Sequence, residues 1–204
     1  MGILSVLSAT VVSILSTMGY QGLFLMMVLE STAVPVPSEA VMPFAGFVVF
    51  SGTFDFMTAL AVATLGSIVG SALSYYVGVR AGRPFLLKYG RWFLISRREL
   101  EWTERFAKRR GFVAIFAARF IPAVRHVISI PAGTARMPFV PFVVATAAGA
   151  AIWNGLLLWV GVKLGERWHD VGTMLAPYEN VVLIALVLAA ICYVVLKLRE
   201  LRKN

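Results

Sequence analysis

Charge is scarce in this chain, and its gaps are informative. Only 14% of the 204 residues are Asp, Glu, Lys or Arg, against about 25% in soluble domains, and none lies between Met1 and Leu29. With 59% hydrophobic residues, that shortage excludes a water-soluble domain and indicates one integral membrane domain. Cysteine and histidine are nearly missing. The lone Cys192 can form no internal disulfide. His126 and His169 are far apart and no H-E-x-x-H occurs, so neither a metal site nor a cofactor is expected. A lipid-phosphate phosphatase needs a histidine nucleophile, an acid to activate it and a second histidine. Neither histidine stands in such a pattern, so no catalytic residue is assigned and an enzyme is not expected. The N-terminus lacks the basic n-region of a signal peptide, which predicts that it is retained.

The charge that is present is placed unevenly. Ten of the 19 Lys and Arg lie between Arg80 and Arg110, and Lys197, Arg199, Arg202 and Lys203 form a basic tail. Both clusters flank apolar runs, which places them in the cytoplasm by the positive-inside rule and argues against nucleic acid as a partner. The chain then divides into an N-terminal helix (1–18), a first re-entrant hairpin (19–52) and a span (56–79). A cytoplasmic amphipathic segment (80–110), a second re-entrant hairpin (111–135) and a second span (139–162) follow. A last span (180–197) and the tail (198–204) complete an all-α polytopic membrane protein. Whether 1–18 spans or lies at the interface is left open.

Two stretches break the apolar pattern. In Ala117–Gly133, AARFIPAVRHVISIPAG, Arg119 and Arg125 lie in residues otherwise fit for lipid. Each charge costs roughly 2.5–3.5 kcal/mol at bilayer depth, and Pro122 and Pro131 each remove a helix donor. The earlier stretch carries Glu30, Pro35, Pro37 and Glu39 between two half-length apolar runs. The two correspond. Gly22 precedes Glu30 by the same eight residues by which Gly111 precedes Arg119, Glu39 matches Arg125, and Gly66 matches Gly149. One hairpin and one span per unit make the repeat inverted, and paired interrupted segments in inverted repeats point to a transport site.

The chemistry fits an anionic headgroup. Arginine is permanently charged and holds anions through a planar fork, so Arg119 and Arg125 are the expected substrate-binding residues, and the resemblance given next makes the bound group a phosphate. Glu30 and Glu39 balance them when the site is empty and are candidates for proton coupling. His126 and Asn154 are auxiliary candidates, the first as a proton shuttle and the second for a bond between helices. The bland alternative is a buried ion-pair set that only pins the hairpins.

These residues resemble the DedA family, whose members carry the SNARE-associated or VTT domain. The resemblance covers roughly Gly19 to Gly165. It rests on Glu30, Pro35-x-Pro37-Ser38-Glu39, the run Gly66 to Pro84, and Arg119-Phe120-Ile121-Pro122-Ala123-Val124-Arg125 with Ala132-Gly133. Members more often have Gly before the second acid, where this chain has Ser38. The resemblance implies that Glu30, Glu39, Arg119 and Arg125 are the functional residues. It also implies transport of a phosphorylated lipid carrier such as undecaprenyl phosphate across the bacterial cytoplasmic membrane. The alternatives are a proton-coupled small-ion or drug antiporter and a general phospholipid scramblase. Expected partners are the lipid, protons and the surrounding membrane, with a homo-oligomer left open.

Overall fold

In a computed structural model, the structure describes residues 3–32, 38–89, 111–125 and 128–165. The segments expected as the last span and basic tail, most of 80–110, and His126 lie outside the described residues.

The described residues are helical and contain no strand. Helix α1 runs Ile3–Ser31 and α2 runs Ser38–Phe50. Helix α3 is Phe56–Tyr89, a helical stretch α4 covers 111–118, and α5 is Pro122–Arg125. Helix α6 is Ser129–Thr134 and α7 is Phe139–Gly165. Among the described residues two stretches are long and apolar enough to cross a membrane, Phe56–Arg80 and Phe139–Gly165. At 1.5 Å per residue each reaches about 37–40 Å, past a hydrocarbon core of roughly 30 Å. Helix α2, with 13 residues, reaches about 20 Å and falls short.

The breaks have local causes. Within α1, Gly19 adopts φ 57° and ψ −135°, a backbone state that glycine enters without a Cβ penalty. The chain beyond it therefore leaves along a new axis. After α4, the amides of Arg119, Phe120 and Ile121 bond the carbonyls three residues back, the tightened turn typical of a helix end. Pro122 has no amide to continue the ladder and disfavours a helical Ile121. The helix ends there, and Arg119 sits in the last turn. Asp55 starts α3, its carboxylate accepting from the Thr58 amide at 2.8 Å and the Thr58 hydroxyl at 2.9 Å.

Helix α3 is longer than the expected 56–79 span and continues unbroken to Tyr89, ten residues into the segment read as a separate amphipathic element. The sequence turns from apolar to basic at Arg80, but Arg and Lys are good helix formers. The backbone ladder therefore runs on.

Packing is reciprocal between the two halves. Helix α1 lies on α3, where a Cβ on Gly66 would lie 2.7 Å from the Phe24 carbonyl oxygen. Helix α2 lies instead on α7, with Gly46 against Leu158 and Gly161 against Pro43. In the other half α6 lies on α3, with Gly133 against Tyr75 and Gly78 against Ile130. The short helix of each half thus packs on the long helix of the other. Helices α3 and α7 run antiparallel, since Ser67 meets Asn154 while Tyr75 stacks on Phe142.

Two apolar cores result. One gathers Leu23, Met27, Val41, Met42, Ala59, Ala63 and Leu158. The other gathers Tyr75, Ile115, Ala118, Ala132, Phe142 and Ala145. Along α3 the buried serines 67, 71 and 74 fall after Ala63, and along α7 Thr146 to Asn154 fall between Ala145 and Leu158. The polar positions therefore occupy the middle of both long helices.

Candidate functional site

The two helix breaks bring their charges together. Glu30, in the last turn of α1, is 2% exposed, and Arg125, at the end of α5, is 5% exposed. The Arg125 Nη2 donates to Glu30 Oε1 in a direct salt bridge. The second Glu30 oxygen accepts from the Ser31 hydroxyl at 2.8 Å. Glu39, in the first turn of α2, lies 3.8 Å from Arg125 Nη1. That distance makes an ion pair without a hydrogen bond, and the Glu39 side chain is 39% exposed. Arg125 also lies 5.6 Å from the Trp153 ring centroid, within cation–π range.

Arg119 is held differently. Its Nη2 donates to Ser71 Oγ at 2.9 Å, Thr146 Oγ1 at 3.1 Å and Ser129 Oγ at 3.4 Å. Its Nη1 donates to the Arg125 carbonyl oxygen at 3.4 Å. Every hydrogen bond that Arg119 makes among the described residues therefore goes to an uncharged oxygen. On sequence grounds the two glutamates balance both arginines; among the described residues the direct carboxylate pairs are with Arg125, while Glu30 also acts on Arg119 through space. The topology explains this. The end of α1 and the start of α2 face Arg125, while the hydroxyls of α3, α6 and α7 close around Arg119. Two donors in the set remain buried and unbonded among the described residues, Arg119 Nε and Arg125 Nη1.

Asn154 is fully buried and its Nδ2 lies 3.3 Å from Ser67 Oγ. This bond joins α7 to α3, and among the described residues no hydrogen bond joins Asn154 to either arginine. His126 lies outside the described residues. Sequence reasoning assigns no site role to Ser67, Ser71, Ser129 or Thr146. The signal available was spacing: 67, 71 and 74 fall on one face of a helix. In the structure Ser67 meets Asn154, Ser71 meets Arg119, and the Ser74 hydroxyl donates to the Ser31 carbonyl at 3.1 Å. One face of α3 thus ties three other segments together.

Formally the four charges, two carboxylates and two guanidiniums, sum to zero. A site of this kind holds an anion by exchange: a phosphate can take the arginine donors that carboxylates occupy, or bond those left free. Among the described residues no group of three or more His, Cys, Asp or Glu is arranged to hold a metal ion.

The sequence is similar to those of known proteins. Residues 36–163, more than half of the chain, match the VTT domain. That stretch contains Glu39, Arg119, Arg125 and Asn154, and Glu30 precedes it. The chain is 38% identical over 185 residues to "Undecaprenyl phosphate transporter A" of Bacillus subtilis (strain 168), covering 91% of each chain. It is 30% identical to the protein of the same name from Staphylococcus aureus, covering 89% of this chain and 91% of that one. It is also 30% identical to an "Alkaline phosphatase-like protein" of Lactococcus lactis subsp. lactis, covering 86% of this chain and 85% of that one. No solved structure matches.

Proposed function

The chain belongs to the VTT-domain, or DedA, family of membrane proteins, and from that premise we propose that it moves a phosphorylated polyprenyl lipid across the bacterial cytoplasmic membrane. The observation that carries the proposal is the buried pair Arg119 and Arg125, with a free donor on each. The names of the two relatives supply the substrate class, undecaprenyl phosphate.

A phosphate monoester brings about −1.5 to −2 charges near neutral pH. In this reading it displaces Glu30 and Glu39 from Arg125 and bonds the spare Nε–H of Arg119, while the polyprenyl tail stays in lipid. The incoming charge unbalances a site that sums to zero. Uptake of a proton by a released carboxylate offsets part of the added charge, which couples transport to protons. The more exposed Glu39 is the first of the two to reach water.

The broken segments act as two re-entrant hairpins related by an inverted repeat. The short length of α2 and the reciprocal packing of α2 on α7 and α6 on α3 support this. Irregular backbone survives at membrane depth where protein covers it, and paired interruptions at the midplane are the usual place of a transporter's site. The mid-helix position of Ser71 and Thr146 agrees with such a placement.

The test is transport by purified protein in proteoliposomes. Polyprenyl phosphate exposed on each leaflet is followed with and without a pH gradient, and inorganic phosphate release is assayed in parallel. The proposal expects leaflet exchange by the wild type that is lost in a folded Arg125→Ala variant, with no phosphate released. Phosphate release would favour an esterase. Equal movement of phosphatidylcholine would favour a general scramblase. Cation-dependent proton movement without lipid exchange would favour an antiporter.

A further inference from the structure

We infer that Ser71, Ser129 and Thr146 are positioning residues that fix Arg119 as a cation held by uncharged oxygens, with no carboxylate in direct contact, so that only Arg125 exchanges partners during transport. The inference rests on the reading of this site as a phosphate-lipid site and assigns different work to its two arginines.

Three hydroxyls from three elements converge on one guanidinium nitrogen, at 2.9 Å from α3, 3.4 Å from α6 and 3.1 Å from α7. All three are fully buried. Other described hydroxyls bond the carbonyl one turn back, as Thr17 does to Ser13 and Thr134 to Ile130. Ser71 and Thr146 turn to Arg119 instead. Gly149 completes the seat: a Cβ there would lie 2.8 Å from both Cβ and Cγ of Arg119, so the stem of the arginine lies directly on α7.

The chemical difference from Arg125 is one of direct partners. Hydroxyls occupy the Arg119 donors, whereas Arg125 pairs directly with Glu30 and Glu39. An anion approaching Arg119 has no carboxylate to displace. Arg119 therefore sets affinity as a resident cation, and Arg125 sets the rate through the opening of its carboxylate latch.

The experiment measures polyprenyl phosphate transport in proteoliposomes as a function of its mole fraction. It compares wild type with Ser71→Ala, Thr146→Val, Thr146→Ser, Gly149→Ala and Arg125→Lys, each confirmed folded by thermal shift in detergent. Removing one hydroxyl partner of a charged donor is expected to raise the half-saturating mole fraction roughly tenfold, with the maximal rate within about twofold. Thr146→Ser keeps the hydroxyl and is expected to match the wild type. Gly149→Ala removes no hydroxyl but displaces the arginine stem, and is expected to behave like Thr146→Val. Arg125→Lys is expected to lower the maximal rate instead. Identical behaviour of Thr146→Val and Thr146→Ser would overturn the inference, as would a lowered maximal rate with unchanged half-saturation in the hydroxyl variants. A wild type that moves no polyprenyl phosphate would overturn the transport reading and this inference with it. Wild-type transport with unaffected variants would overturn the positioning role alone.

Discussion

Replacing Arg125 by Gln removes the cation from Glu30, a carboxylate 2% exposed in the middle of the helical assembly. Breaking a buried pair from one side costs about 3–5 kcal/mol, because the remaining charge is left without compensation. The Ser31 hydroxyl still donates to Glu30 at 2.8 Å, which places the expected cost near the lower end, about 3 kcal/mol. For a chain of this size each kcal/mol shifts the melting temperature by about 2–4 °C, so a fall of about 6–12 °C is expected in detergent. The double variant Glu30→Gln/Arg125→Gln removes both charges and leaves two amides that can bond each other. It is expected to recover most of the lost stability, with a coupling of about 2–3 kcal/mol in the mutant cycle, while transport stays lost. Additive losses in the double variant would refute the pairing. Recovered transport along with recovered stability would show that the pair only pins the fold.

Three further outcomes follow from the fold. Asp55, at the start of α3, is held below its ordinary value of 3.8, first by the Thr58 amide and then by the Thr58 hydroxyl. A lowered folded pKa stabilises above the unfolded value and is lost as pH falls through the folded one. Asp55→Asn should therefore remove one component of the stability loss seen by thermal shift below about pH 4. Gly133→Ala should destabilise by about 1–3 kcal/mol, because the new methyl meets the Tyr75 backbone, which cannot rotate away. Its melting temperature should fall while that of Gly52→Ala, in an open turn with positive φ, changes through backbone strain alone. Asn154→Ala should cost about 0.6 kcal/mol, the typical worth of a hydrogen bond between membrane helices. A proteoliposome assay should find its transport near that of the wild type.

Much of the site was legible because its residues conflict with their surroundings. Glu30, Arg119 and Arg125 stand out in apolar stretches where charge is costly, and Pro122 marks where the second broken helix must end. The family resemblance reached the same four charged residues independently. What the sequence did not show is the pairing. Glu30 and Glu39 were equally available to either arginine, and only the packing of α1, α2 and α5 directs both to Arg125. The hydroxyls around Arg119 were hidden for a different reason. Serine and threonine in a membrane helix bond their own backbone by default, so composition does not distinguish Thr146 from Thr17. Hydropathy marks where the apolar residues end, near Arg80, and not where the backbone ladder ends, at Tyr89.

The central claim is that a lipid phosphate seats between Arg119 and Arg125. A polyprenyl phosphate carrying a photoactivatable group beside its headgroup tests it most directly, with labelled peptides located by mass spectrometry and unlabelled lipid as competitor. The account predicts competable labelling within 119–130 and around Thr146 to Trp153, reduced in Arg125→Ala. Labelling confined to the outward apolar faces, such as Leu65, Val69 and Ile152, and unaffected by competitor would contradict it.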